Sequence, residues 1–109
     1  FYMIRDGEFT QVKADRMPVG IYYKSLEDFT NHEFDIRSGD CIYIFTDGYI
    51  DQTGGTKSRK FLSKNFRNLL FEIHQKPMKE QLKVLNETMN EWMKDEEQVD
   101  DMLVIGIRF

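Results

Sequence analysis

Cysteine is almost missing from this sequence. Cys41 is the only one among 109 residues, so no disulfide can form within the chain. Histidine is nearly as scarce, with two residues, and the three together cannot build an all-Cys/His zinc site. Any metal must therefore rest mainly on oxygen ligands, which selects a hard cation such as Mg²⁺ or Mn²⁺. A lone thiol also suits a reducing compartment. Long apolar runs are missing too. The longest, Cys41 to Phe45, falls far short of the ~20 residues that a membrane-crossing helix needs. Excess positive charge is also lacking. Fifteen Lys and Arg stand against 19 Asp and Glu, a net charge of −4, which argues against nucleic-acid binding through bulk positive charge. Internal repeats and low-complexity segments do not occur.

What is present suits one small packed core. A chain this size buries roughly two-thirds of its unfolded surface, and an aromatic content of 14% favours packing over disorder. Phe1 to Arg5 and Phe9 to Ala14 flank Asp6-Gly7-Glu8, which predicts a hairpin. Met17-Pro18-Val19-Gly20 predicts a turn or loop, and the imperfect alternation of Phe29, His32, Phe34 and Ile36 predicts a strand. After a tight turn at Arg37-Ser38-Gly39-Asp40, the near-continuous apolar run Cys41 to Phe45 predicts a central strand buried on both faces. Thr46-Asp47-Gly48 ends it. The polar, basic stretch Asp51 to Lys60 reads as a mobile loop, with Lys57, Arg59, Lys60 and Lys64 as a solvated patch. Phe61, Leu62, Phe66, Leu69, Leu70 and Ile73 then form one helical stripe. Met78, Leu82, Leu85, Met89, Trp92 and Met93 form a second, with Pro77 suited to its first turn. Met102 to Ile107 predicts a last strand. The order is α+β, with helices covering one face of a mainly antiparallel sheet. Because the sequence opens and closes in strand-like apolar stretches, it is expected to be part of a larger domain.

The notable carboxylates lie at strand ends. Asp47 follows the central strand, and Asp100-Asp101 precede the last one. If those strands are neighbours, three acidic groups converge at one rim, and a divalent cation would relieve their mutual repulsion. The plainer alternatives are that Asp47-Gly48 is only a turn and Asp100-Asp101 only a solvated loop.

The block Gly39-Asp40-Cys41-Ile42-Tyr43-Ile44-Phe45-Thr46-Asp47-Gly48-Tyr49-Ile50-Asp51 resembles the Gly-Asp…Thr-Asp-Gly block of SpoIIE-type serine/threonine phosphatases. These are the bacterial branch of the metal-dependent PPM (protein phosphatase 2C-like) family. Val99-Asp100-Asp101-Met102-Leu103-Val104-Ile105 resembles that family's closing Asp-Asp motif, and Met17-Pro18-Val19-Gly20-Ile21 its short Pro-Leu-Gly segment. Asp51-Gln52-Thr53-Gly54-Gly55, with Lys57, Lys60 and Phe61, is similar to a variant found in phosphatase domains attached to bacterial sensor proteins.

The resemblance implies a PPM-like β-sandwich flanked by helices, of which residues 1–109 are the C-terminal portion: mainly antiparallel strands plus two helices. It implies two Mn²⁺ or Mg²⁺ ions bridged by a water that attacks the phosphorus of phosphoserine or phosphothreonine directly. Asp47 and Asp100 would be metal ligands and Asp101 an auxiliary carboxylate. Gly48 would keep the turn small enough for metal and phosphate to approach. The family's first metal motif, an Asp-x-Ser-Gly-His-Gly-like segment with the bridging Asp, does not occur in these 109 residues. The chain alone is thus expected to be inactive, to bind metal weakly and to self-associate through uncovered sheet surface. The implied substrate is a phosphorylated signalling protein, such as an anti-sigma-factor antagonist. No nucleic acid and no membrane contact by this segment are expected. The implied location is the cytoplasm, with a parent that can be a membrane-attached sensor. The alternative reading is a non-catalytic regulatory or interaction domain that keeps the fold.

Overall fold

The structure, a computed structural model, describes residues 1–15 and 28–109. The segment expected to turn at Met17-Pro18-Val19-Gly20 lies outside the described residues. Asp6 and Gly7 both take positive φ, 48° and 76°, the conformation a two-residue hairpin turn demands. They join β1 (Tyr2–Arg5) to β2 (Glu8–Gln11) in the expected antiparallel pair. On its other side β1 pairs with β3 (Cys41–Phe45), and β3 pairs with β6 (Val104–Arg108), giving a four-stranded antiparallel sheet in the order β2-β1-β3-β6.

Between β3 and β6 the chain forms a short helix, α1 (Gly48–Asp51), and a small hairpin of β4 (Thr53–Gly54) and β5 (Arg59–Lys60). Then come α2 (Ser63–Ile73) and α3 (Met78–Met93). Both long helices stand where the apolar stripes put them, and Pro77 holds the N-cap position of α3. They cover the sheet face that carries Tyr2, Ile4, Cys41 and Tyr43, all at most 2% exposed. Phe66 of α2 is fully buried, its ring 5.0 Å from that of Phe45 and 4.8 Å from that of Tyr49. The buried Tyr43 hydroxyl donates to Gln81 Oε1 of α3 at 2.8 Å, and the Tyr49 hydroxyl donates to the Leu85 carbonyl at 2.8 Å. Burial pushes both phenols above their ordinary range. The α+β reading with mainly antiparallel strands is borne out.

Three expectations are corrected. Phe29 to Ile36 is not a strand, and Phe29, Phe34 and Ile36 are exposed. Its alternation is imperfect, and β3, the strand that the turn at Arg37 to Asp40 would pair it with, already has β1 and β6 on its two edges. The strand β3 is central but buried on one face only. Ile44, Ile105 and Ile107 on the opposite face are all more than a third exposed, and no described element packs over them. Asp51 to Lys60 is not a mobile loop. It holds the end of α1 and the β4–β5 hairpin, and Gln52 within it is fully buried.

Asp40, just ahead of β3, is buried and pairs with a partly exposed Arg5. Arg5 Nε and Nη2 donate to its two oxygens at 2.8 and 2.6 Å, and the Arg37 amide donates at 2.8 Å. The Arg5 guanidinium first, and the Arg37 amide second, pull its carboxyl down to about 2 from an ordinary 3.8. The native state therefore keeps Asp40 ionised where the unfolded chain protonates it. The stabilisation is fully present above pH 4 and is lost as pH falls toward 2. Asp40→Asn should remove the part of the acid-induced stability loss that falls in this window. Urea midpoints measured at pH 5 and pH 3 check it: the variant's fall between them should be smaller than the original chain's.

Candidate metal centre

Antiparallel pairing brings the end of one strand to the start of its neighbour. Phe45, last in β3, lies opposite Val104, first in β6. Asp47 and Asp100-Asp101 therefore reach the same rim of the sheet from stretches far apart in sequence. The pairing continues past the strand ends, since the Thr46 amide donates to the Leu103 carbonyl at 3.0 Å. The Thr46 hydroxyl donates to the Asp101 carbonyl at 2.8 Å and accepts from the Leu103 amide at 3.1 Å. Gly48 packs so tightly here that a Cβ built on it would lie 2.2 Å from the Asp101 carbonyl oxygen and 3.2 Å from that of Asp100. The nearest demand for glycine at this position is thus the approach of the chain itself.

The far end of the acidic segment is fixed by Gln52, immediately after α1. Its Nε2 donates to the Thr53 and Glu97 carbonyls at 3.0 and 2.9 Å, and its Oε1 accepts from the Val99 amide at 3.0 Å. Trp92 Nε1 donates to the Gln52 carbonyl at 3.1 Å. The Trp92 carbonyl accepts from the Gly55 amide at 2.9 Å. A Cβ on Gly54 would meet that carbonyl oxygen at 2.1 Å, so glycine lets the hairpin close on the end of α3. Ser58 donates to the Glu96 carboxylate, which this bond and a further one from Thr53 hold below its ordinary pKa.

Asp47, Asp100 and Asp101 are all exposed at this rim. Asp47 borders an open cleft of about 500 Å³ together with Gln11, Lys13 and Ser63. Asp100 turns one oxygen back on the chain, accepting from the Asp101 amide at 2.7 Å. The donors at the rim are oxygens only, which fits Mg²⁺ or Mn²⁺ held by one or two carboxylates, with water and substrate completing the sphere. No three His, Cys, Asp or Glu side chains among the described residues converge into a metal cage. The structure therefore brings the two acidic stretches into backbone contact without closing a complete ligand set. Of the basic residues nearby, Lys60 pairs with Asp51 at 3.0 Å, and both are exposed, a pair of small energetic weight. No helix among the described residues is long and apolar enough to cross a membrane.

Sequence reasoning missed Gln52 and gave Thr46 no role. A glutamine in a polar stretch carries no sign of burial. Thr46 did stand next to Asp47, and a hydroxyl residue one step beyond a buried strand was the available signal.

The sequence matches the family described as Stage II sporulation protein E (SpoIIE) over residues 1–109. No curated protein matches it. Among solved structures, the fold is similar to the SiaA-PP2C domain of Pseudomonas aeruginosa, with a TM-score of 0.84 and 29% sequence identity over 99% of this chain. The match covers 42% of that structure's chain, so this sequence spans less than half its length.

Proposed function

This chain belongs to the SpoIIE family of PP2C-like phosphatase domains, and on that premise we propose that it supplies the Asp47 and Asp100 ligands of a divalent-metal phosphatase centre. The observation that carries the reading is the contact of the Asp47-Gly48 turn with the Asp100-Asp101 backbone. The reaction is hydrolysis of a phosphoserine or phosphothreonine ester in a protein. Bound Mn²⁺ or Mg²⁺ would lower the pKa of an attacking water and neutralise the phosphoryl oxygens.

The chain's own residues do the holding. Asp47 and Asp100 present hard anionic oxygens from two sides of one rim, and Asp101 adds negative charge beside them. The cleft beside Asp47 leaves room for a phosphorylated side chain to approach, with Lys13 on its wall to offset phosphate charge. No cysteine or histidine nucleophile is required, which suits a chain with one buried cysteine. The proposed substrate class is a phosphorylated signalling protein, such as an anti-sigma-factor antagonist.

Because the 109 residues contain no Asp-x-Ser-Gly segment, the ligand set is incomplete within them. The chain by itself should not turn over a phosphoserine peptide in Mn²⁺, whereas a protein that joins it to a segment carrying the bridging Asp should, and EDTA should abolish that turnover. Robust hydrolysis by the 109 residues alone contradicts the shared-ligand reading. Metal-independent or absent hydrolysis in the joined protein contradicts the phosphatase reading.

A further inference from the structure

Residues 97–103 carry the ligand candidate Asp100 and the auxiliary Asp101, yet only their last end is tied down by the sheet. From outside the segment, side chains hold it at two points, and both come from the stretch that carries Asp47; within it, Gln98 Nε2 donates to the Asp100 carbonyl at 2.8 Å and the Asp100 carboxylate accepts from the Asp101 amide at 2.7 Å. Gln52 donates to the Glu97 carbonyl at 2.9 Å and accepts from the Val99 amide at 3.0 Å. Thr46 donates to the Asp101 carbonyl at 2.8 Å and accepts from the Leu103 amide at 3.1 Å. Each side chain thus bonds the carbonyl of one residue and the amide two residues on, as a neighbouring strand would. Asp100 and Asp101 form the span between the two clamps.

We infer that Thr46 and Gln52 are positioning residues that set the distance between Asp47 and the Asp100-Asp101 pair. This inference rests on the metal reading above. The physical ground is the saturation of both clamps and the burial of Gln52. Gln52 is fully buried, and both polar ends of its amide are hydrogen-bonded. Rotating it away would leave buried donors and acceptors unpaired. Its position is further fixed by Trp92 Nε1 on its carbonyl and by the Phe61 amide, which donates to the same oxygen at 2.9 Å. The stretch that bears Asp47 therefore cannot move without drawing the Asp100-Asp101 span with it. Ligands held this way keep their spacing before a cation arrives, and partners that orient metal ligands typically carry about 10–100-fold in affinity.

The test is Mn²⁺ affinity, read from the free-ion paramagnetic resonance signal, beside thermal unfolding of the same samples. The variants, made in a protein that joins residues 1–109 to a segment carrying the bridging Asp, are Thr46→Val, Thr46→Ser, Gln52→Met and, as control, Asp47→Asn. Thr46→Val removes both bonds of one clamp at nearly constant shape, at an exposed position where the fold should survive. Thr46→Ser keeps the hydroxyl. The inference expects Thr46→Val and Gln52→Met to weaken Mn²⁺ binding about 10–100-fold, with Thr46→Ser close to the joined protein without substitutions. Lowered unfolding temperatures with unchanged Mn²⁺ affinity in Thr46→Val would reduce the clamps to structural bonds and overturn the inference, provided Asp47→Asn still abolishes binding. Unchanged binding in Asp47→Asn, or no binding by the joined protein without substitutions, would instead overturn the metal reading and the inference with it.

Discussion

Gly48→Ala is expected to destabilise the chain by about 1–3 kcal/mol and to loosen the acidic rim. The added Cβ would sit 2.2 Å from the Asp101 carbonyl oxygen and 2.7 Å from its carbon, where unstrained heavy atoms stay roughly 3.5 Å apart. The obstacle is backbone, so it cannot swing aside as a side-chain tip would. A competing gain exists, because alanine favours a helix over glycine by up to about 1 kcal/mol. Gly48 opens a helix of only four residues, so that gain is small and the clash wins. Relief would come by shifting Asp101 outward, which stretches the Thr46 bonds to Asp101 and Leu103. Urea unfolding at neutral pH measures the loss. A midpoint equal to or above that of the original chain would mean that the turn and the acidic segment are not in contact.

Asp47→Asn is expected to weaken Mn²⁺ binding by more than about 100-fold, since even residues that merely orient ligands carry about 10–100-fold. Asparagine keeps the shape and one carbonyl oxygen but removes the negative charge that a hard cation seeks. The fold should be unaffected. Asp47 is exposed, and its backbone carbonyl still accepts from the Asp51 amide at 2.9 Å. Equal unfolding midpoints with unequal Mn²⁺ affinity would separate the role of this side chain from that of Gly48, whose substitution changes both.

The elements legible in the sequence are those whose periodicity reports burial directly. Cys41 to Phe45 read as a strand, and the stripes through Phe66 and Leu85 read as helices, because apolar contact decides their structure. The Asp6-Gly7 turn was legible because its residue types tolerate positive φ. Phe29 to Ile36 misled because spaced aromatics imitate a strand, and sequence does not show whether a partner edge is free. The β4–β5 hairpin was hidden for the opposite reason. Its stretch is polar, and exposed only from Thr56 to Lys60, and its order comes from tertiary bonds to Trp92, Glu97 and Val99. The second face of β3 read as buried from composition alone. Ile44 is 49% exposed, since a run of apolar residues states a preference for cover without showing that it is met.

Asp47, Gly48, Asp100 and Asp101 were legible as a set only through their motifs. Their meeting follows from the β3–β6 pairing, which two separated strand signals suggest and do not fix. The clamps at Thr46 and Gln52 were not legible as such, because hydrogen bonds to backbone groups leave no periodic trace.

The most direct measurement is a Mn²⁺ titration of the isotope-labelled chain followed through backbone amide signals. The account expects the amides of Asp47, Gly48, Asp100 and Asp101 to broaden together with one dissociation constant, and Asp47→Asn to abolish the effect at both stretches. Broadening spread evenly over the acidic surface, or confined to one stretch and indifferent to Asp47→Asn, would contradict it.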